Sequence, residues 1–273
     1  MSVAYAKINL ALVVGPARPD GKHEVVTVLE RVALSDSVTV ERLPAEGGVQ
    51  VDGFDGDTIV RAALEELSRA AGGGASFSAT IEKRIPLAAG LGGGSSDAAT
   101  ALSQANALLD QPISDRALLR IAAGLGADVP FFLQRGPQLG SGDGSTLVPL
   151  PLPGDYHVVL WLPDGQEKRA TADIYAAFDE RSGAEGFPER RDRLLEAVAQ
   201  VATAEDLAAL PKNDLASSSL THALEEHGTF RADVTGAGPT LYGLFDDLDA
   251  ARTAAEALGR RGRVWVTAPV AAE

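Results

Sequence analysis

Cysteine is absent from this chain of 273 residues, which excludes disulfides, thiolate chemistry and Cys-ligated zinc. Histidine is scarce, four residues in all with no H-x-x-x-H pair, so a His-rich metal site is not expected. Basic residues are short as well, 24 against 38 acidic, for a net charge of −14. Nucleic acid and anionic membranes are held by clustered Lys and Arg, so neither is an expected partner. No apolar run is long enough to span a bilayer, and no basic and apolar leader opens the chain. A cytoplasmic location is the expectation. A chain this acidic that handles anions must concentrate its few cations locally.

Against those absences stands one dense stretch, Pro86-Leu-Ala-Ala-Gly-Leu-Gly-Gly-Gly-Ser-Ser-Asp97. A strand-like run, Phe77 to Ile85, precedes it. A helix-like run follows from Ala98 to Leu109, with Ala98, Ala101, Leu102, Ala105, Leu108 and Leu109 on one face. Ser95 or Ser96 falls where an N-cap belongs, and Asp97 suits the first turn as a capping residue. Strand, glycine loop and helix N-terminus together make an anion site, because unpaired amides and the dipole's positive end converge there. Glycine lets backbone approach the anion with no Cβ between them. No Lys follows as in Walker A, and Ser95 stands where the Rossmann fingerprint needs its third glycine.

Near the start, Ala4 to Leu12 alternates, with Tyr5, Lys7, Asn9 and Ala11 on one face. Spacing alone reads this as a strand with Lys7 and Asn9 in water; the functional alternative points both into a cleft. Gly15 to His23 reads as a loop, and Val25 to Val32 and Ser37 to Leu43 as two further strands. Asp57 caps a helix with Val60, Ala63, Leu64 and Leu67 inward, ended by glycines 72 to 74. Ser114 opens another, stopped by Gly124. Asp128 then sits between glycines and a proline, as a turn residue or as a carboxylate held at a corner. After three prolines at 149, 151 and 153 come a strand (156 to 162) and a helix from Thr171 carrying Ile174, Tyr175 and Phe178. Helices over 189 to 202 and 216 to 227 follow, then a strand broken at Gly236, a helix through Ala251 and Leu258, and a last strand. This half reads as an antiparallel sheet backed by helices.

Three motifs stand in order: Ala6-Lys-Ile-Asn9, the loop at 86 to 96, and Thr235-Gly-Ala-Gly-Pro-Thr240. With Arg18-Pro-Asp-Gly-Lys-His23, Lys83-Arg-Ile-Pro86, Gly126-Ala-Asp-Val-Pro130 and Asn213-Asp-Leu215, the chain resembles the GHMP small-molecule kinases. That resemblance implies an α+β chain. Its ribosomal-protein-S5-like ATP half would take residues 1–152 and its ferredoxin-like substrate half residues 153–273. It implies transfer of the ATP γ-phosphate, with Mg²⁺, to the 2-hydroxyl of a cytidine-diphosphate-linked methylerythritol in non-mevalonate isoprenoid synthesis. Asp128 would be the base and Lys7 would lie beside it. Lys83 would lie near the nucleotide, with Pro86, Leu87, Ala88, Ala89, Gly90, Leu91, Gly92, Gly93, Gly94, Ser95 and Ser96 around its phosphates. Asn9, Lys22, His23, Thr171, Tyr175 and Gly236 would hold the substrate, His23 bonding the cytosine. The family's Tyr before this His is here Lys22, and its Pro before Ala-Lys is Tyr5. Ser96 is the candidate donor to Mg²⁺, and a monomer or homodimer is expected. The other readings are a kinase of another small alcohol, of the homoserine or mevalonate type, and a non-catalytic nucleotide-binding protein.

Overall fold

The computed structural model describes residues 2–57, 59–166 and 170–271. Its first elements are β1 (Ser2–Ala17), β2 (His23–Leu43), β3 (Val49–Asp52), α1 (Ile59–Ala70), β4 (Ser76–Glu82), α2 (Gly93–Ala107), α3 (Asp115–Leu125) and α4 (Val129–Phe132). Then come β5 (Gln138–Gly142), β6 (Thr146–Pro149), β7 (His157–Pro163), α5 (Thr171–Glu180), α6 (Phe187–Gln200), α7 (Thr221–Glu225), β8 (Arg231–Val234), β9 (Leu241–Phe245), α8 (Leu248–Leu258) and β10 (Gly262–Thr267). The chain packs as two compact units. One comprises Met1–Ala6, Leu34–Leu87 and Gly92–Arg135; the other comprises Lys7–Ala33, Ala88–Leu91 and Gly136–Glu273.

In the first unit the C-terminal part of β2 pairs antiparallel with β4, and β3 lies parallel to β4. Val38, Val40, Phe77, Ala79 and Ile81 supply an apolar face to a core shared with α1, α2 and α3. Asp57 caps α1 by accepting from the amides of Val60 and Arg61. Val60, Ala63, Leu64 and Leu67 are its buried face, as the spacing requires. The start of α2 differs from expectation. It begins at Gly93, after Gly92 in the left-handed region, and no side chain caps it. Ser95 and Ser96 therefore lie inside the first turn, and Leu108 is its half-exposed C-cap residue. Helix α3 does start on Ser114, whose hydroxyl accepts from the Ala117 amide, but it runs through Gly124 and stops at Gly126. A single exposed helical glycine costs only about 1 kcal/mol, too little to end a helix.

In the second unit β1 pairs with β2, Val25–Leu29 of β2 with β5, and β5 with β6. The two expected strands over 25 to 43 are one continuous strand, because neither Gly nor Pro interrupts residues 33 to 36. A separate sheet runs β10-β7-β9-β8, antiparallel throughout. Numbered within this half, that order is 4-1-3-2, the split β-α-β-β-α-β arrangement of the ferredoxin-like class. Val159, Trp161, Leu224, Val234, Phe245, Ala254 and Leu258 form its core. Helix α7 is shorter than the run over 216 to 227 suggests. Ser218 competes for backbone there, its hydroxyl accepting from the Leu220 amide in a turn.

Glu30, on β2, is only 1% exposed, and its carboxylate accepts from the Arg31 amide at 3.0 Å. Burial pushes its pKa up from 4.5 to about 8, against the opposing pull of Arg31. The folded state thus keeps a proton that the unfolded chain releases, so this stabilisation is complete below about pH 4.5 and lost as pH rises through about 8. At about 1.4 kcal/mol per pKa unit, the loss amounts to several kcal/mol. Glu30→Gln keeps the shape of the protonated acid and removes the titration. Urea midpoints at about pH 5 and about pH 9 should fall in the parent and converge in the variant. Identical pH slopes in the two proteins would show that the Glu30 carboxyl meets water.

Candidate active site

Lys7 and Asn9 sit two residues apart on β1, on the face that alternation marks as polar. A solvated strand face would expose them. They are instead 3% and 4% exposed. Lys7 Nζ donates to Asn9 Oδ1 at 2.7 Å, and Asn9 Nδ2 donates to Thr27 Oγ1 at 2.8 Å. The Thr27 hydroxyl in turn donates to the Ala11 carbonyl. The Asn9 amide therefore has one orientation, with its oxygen on the ammonium.

Two glycines bring the remaining motifs to this pair. A Cβ on Gly236, at φ +57, would lie 3.2 Å from the Gly90 carbonyl oxygen and 3.6 Å from both Asn9 Oδ1 and Lys7 Nζ. A Cβ on Gly90, at φ +80, would lie 2.5 Å from the Thr235 carbonyl oxygen. Such approaches need glycine. The Asn9 backbone N–H donates to Thr235 Oγ1 at 3.1 Å, and the Lys7 backbone N–H to the Leu91 carbonyl at 3.0 Å. Ala89 accepts from the Thr240 amide at 3.4 Å. Ala88 takes a positive φ of 59 without being glycine, and the side chains of Ala89 and Leu91 are buried. The first motif, the middle of the glycine loop and the third motif are thus one assembly.

In the first unit, Pro86 and the exposed Leu87 lead into the loop, and Gly92 turns the chain into α2. The Ser96 amide bonds the Gly92 carbonyl, so the amides before it are first-turn donors with no partner one turn back. Gly93 is not bare for an anion alone. A Cβ there would meet Ile85 at 3.1 Å and Lys83 Nζ at 3.3 Å, and one on Gly94 would touch Ile59.

Lys83 occupies a tighter place than sequence suggests. Its ammonium donates to Asp36 Oδ2 at 2.5 Å and to Asp97 Oδ2 at 2.6 Å. Asp36 Oδ1 takes the amides of Arg84 and Ile85 at 2.5 and 2.8 Å. Burial opposes the ammonium, but the two carboxylates outweigh it and hold its pKa above the ordinary value. Asp97 does not cap α2. It is buried, its pKa pushed up to about 7 by burial against the pull of Lys83, and its Oδ1 has no hydrogen-bond partner among the described residues. Asp128, half-buried, stands at the N-cap of α4 ahead of Pro130, and its side chain makes no capping bond. A pure capping role is therefore not supported.

The substrate-side residues form their own cluster in the second unit. The His23 ring stacks on Tyr175 with centroids 4.6 Å apart and planes 25° apart, and it meets Phe178 edge-on at 6.1 Å. Tyr175 packs against the buried cluster of Leu12, Val14, Val25, Ile174, Phe178 and Leu215. His23 Nε2 lies 2.9 Å from Asp179 Oδ1. Thr171 opens α5 and is exposed. Lys22 donates to Asp143 Oδ2 at 2.5 Å; against the upward push of burial, bonds from Lys22 and Ser145 hold that carboxyl down to about 2. Beside α5 a cavity of about 260 Å³ is lined by Ile174, Ala177, Arg181, Leu215, Ala237 and Pro239.

The profile of the GHMP kinases N terminal domain matches residues 58–136, and that of the GHMP kinases C terminal domain residues 207–264. A 4-diphosphocytidyl-2-C-methyl-D-erythritol kinase from Desulfitobacterium hafniense is 36% identical over 97% of this chain and 93% of its own. The chain belongs to the GHMP kinase family. A second kinase of the same name, from Gloeobacter violaceus, is 38% identical over 89% of this chain and 85% of its own. The crystal structure of a 4-(cytidine 5'-diphospho)-2C-methyl-D-erythritol kinase superposes with a TM-score of 0.79 at 32% identity, covering 98% of each chain. A mevalonate kinase structure reaches 0.73 at 11% identity over 98% of each chain, a likeness of fold alone. This GHMP kinase is thus an ATP-using small-molecule phosphotransferase with an α+β fold, and no described helix is long and apolar enough to cross a membrane.

Sequence reasoning passed over Thr27, Asp36, Thr235 and Asp179. Thr235 was within reach, since it opens the third motif. An aspartate in the middle of a long strand with no Gly or Pro near it is the available sign for Asp36. Nothing local marks Thr27 or Asp179.

Proposed function

We propose that this chain transfers the γ-phosphate of ATP to the 2-hydroxyl of 4-diphosphocytidyl-2-C-methyl-D-erythritol in non-mevalonate isoprenoid synthesis. The observation that carries this reading is the convergence of Lys7, Asn9, Gly90 and Gly236 in a chain related along its length to kinases of that name. Phosphoryl transfer needs positioning and charge stabilisation more than covalent chemistry, and a buried ammonium beside a glycine cradle suits that need. On this reading Asp128 orients the hydroxyl and takes its proton as charge develops on oxygen. Lys7, aimed by Asn9, offsets charge on the moving phosphoryl group. Amides at the N-terminus of α2, with Ser95 and Ser96, hold the phosphates. Lys83 shapes the nucleotide side from its place between Asp36 and Asp97.

Among the described residues no three His, Cys, Asp or Glu side chains cluster to hold a metal by themselves. On this reading Mg²⁺ would arrive with the nucleotide phosphates, with the Ser96 hydroxyl in the first turn of α2 as the protein's donor. When bound, the ion neutralises charge on the β- and γ-phosphate oxygens. His23 and Tyr175 would meet the cytosine, with Thr171 at the edge of the pocket. Lys22 would exchange Asp143 for the substrate's diphosphate. In function, residues 1–152 form the ATP-binding half and residues 153–273 the substrate half.

The test is ADP release with a panel of alcohols. Release is expected with the cytidine-linked methylerythritol and not with homoserine or mevalonate. Turnover of homoserine or mevalonate instead would make this a kinase of another alcohol. ATP binding with no turnover on any of them would leave a nucleotide-binding protein. The ring cluster of His23 and Tyr175 argues against the first, since a substrate without a nucleobase gives it nothing to recognise; Lys7 and Asp128 argue against the second, since a protein that only binds nucleotide needs no general base.

A further inference from the structure

Asp179 lies four residues after Tyr175 on α5, so the ring and the carboxylate share a helix face. His23 is placed between them. Its ring is held in plane by the Tyr175 face and the Phe178 edge, and its Nε2 lies 2.9 Å from Asp179 Oδ1. An ionised carboxylate only accepts hydrogen bonds, and a neutral imidazole has one N–H to give. The proton of neutral His23 is therefore on Nε2, and Nδ1 carries a lone pair. The His23 side chain is just 8% exposed, and Nδ1 has no hydrogen-bond partner among the described residues.

We propose that Asp179 is a specificity-determining residue: by accepting the Nε2 proton of His23, it leaves Nδ1 as an acceptor that selects a cytosine amino group. This rests on the function proposed above and deepens it. Cytosine presents an N4 amino donor where uracil presents an oxygen. A lone pair at Nδ1 bonds the first and faces the second lone pair to lone pair. A site built to bond a donor rejects the analogue lacking one more strongly than an apolar pocket rejects a shape change. Asp179 touches no substrate in this account; it acts by fixing the tautomer. Its side chain is half exposed, so its replacement should leave the fold intact.

The experiment compares cytidine- and uridine-diphosphate-linked methylerythritol as substrates of the full chain, at a pH where imidazole is neutral. Parent, Asp179→Ala, Asp179→Asn and Asp179→Glu are assayed, with unfolding midpoints as the control for folding. Asp179→Ala is expected to raise KM for the cytidine substrate about tenfold, with kcat and the KM for ATP little changed. The cytidine-to-uridine ratio of kcat/KM should fall by about the same factor. Asp179→Asn should lower that ratio further, because its amide can donate to Nε2 and move the proton to Nδ1, and Asp179→Glu should restore part of it. Ring ¹⁵N spectra, simple to assign with four histidines, should show the Nε2–H tautomer in the parent and its loss in Asp179→Asn. An unchanged ratio in both Asp179→Ala and Asp179→Asn would overturn the proposal, as would an Nδ1–H tautomer in the parent. A parent that turns over neither substrate would bring down the proposed function and this inference with it. Cytidine turnover indifferent to Asp179 would bring down this inference alone.

Discussion

Asp128→Asn should cut kcat by about 10²–10⁴, the usual worth of general-base help, with ATP affinity nearly unchanged. The variant keeps the size of the side chain and an oxygen that can still accept the substrate hydroxyl. It loses the ability to take the proton. Where an aspartate caps a helix, such a change can also cost stability. Here the side chain makes no capping bond to α4, so no capping energy is lost, and the unfolding midpoint is read beside kcat as the control for folding. The measurement is single-turnover phosphorylation of the cytidine-linked substrate alongside equilibrium ATP titration. A kcat within a factor of about three of the parent would make Asp128 a corner residue between α3 and α4. A large fall in ATP affinity would instead put it on the nucleotide. Lys7→Met, read beside it, should lower kcat through lost charge stabilisation, because it removes the ammonium that Asn9 positions.

What could be read from sequence was whatever depends on neighbours along the chain. The Asp57 and Ser114 caps, the inward face of α1 and the strand-then-helix frame of the glycine loop all rest on residues within a few positions. What escaped depends on remote chain. Alternation showed Lys7 and Asn9 on one side of a strand. It could not show that side buried, because the hydroxyl that meets the Asn9 backbone N–H belongs to Thr235, 226 residues on. Asp97 looked like a cap because acids favour first turns. Its actual partner is Lys83, which is also claimed by Asp36, 47 residues before Lys83. Periodicity predicts too long an α7, because it counts apolar residues and ignores serines that bond their own backbone.

Arg231→Met should cost about 3–5 kcal/mol of folding stability, the range for leaving one partner of a buried ion pair uncompensated. The Arg231 side chain is 1% exposed, and every nitrogen of its guanidinium is used. Nη1 donates to the carbonyls of Leu210, Leu207 and Ala208; Nη2 donates to Pro211 and to Asp233; Nε donates to the Tyr242 hydroxyl. Methionine fills similar volume but answers none of these acceptors. Asp233 is then the larger problem, since burial already pushes its pKa up against the pull of Arg231. An exposed pair sets the scale: Arg42 with Asp110, the acid 90% exposed, should lose less than about 1 kcal/mol on Arg42→Met. The consequence reaches the site. Asp233 also holds the Asn213 amide at 2.9 Å, and Asn213 Nδ2 donates to the carbonyls of Val234 and Gly236 at 2.9 and 2.7 Å. Arg231→Lys, which keeps the charge without the planar fork, should fall between parent and Arg231→Met, and guards against a variant that does not fold. Urea unfolding of the three proteins decides the matter. A loss under about 1 kcal/mol for Arg231→Met would mean that water reaches those carbonyls and that the turn beside Lys7 is held by other bonds.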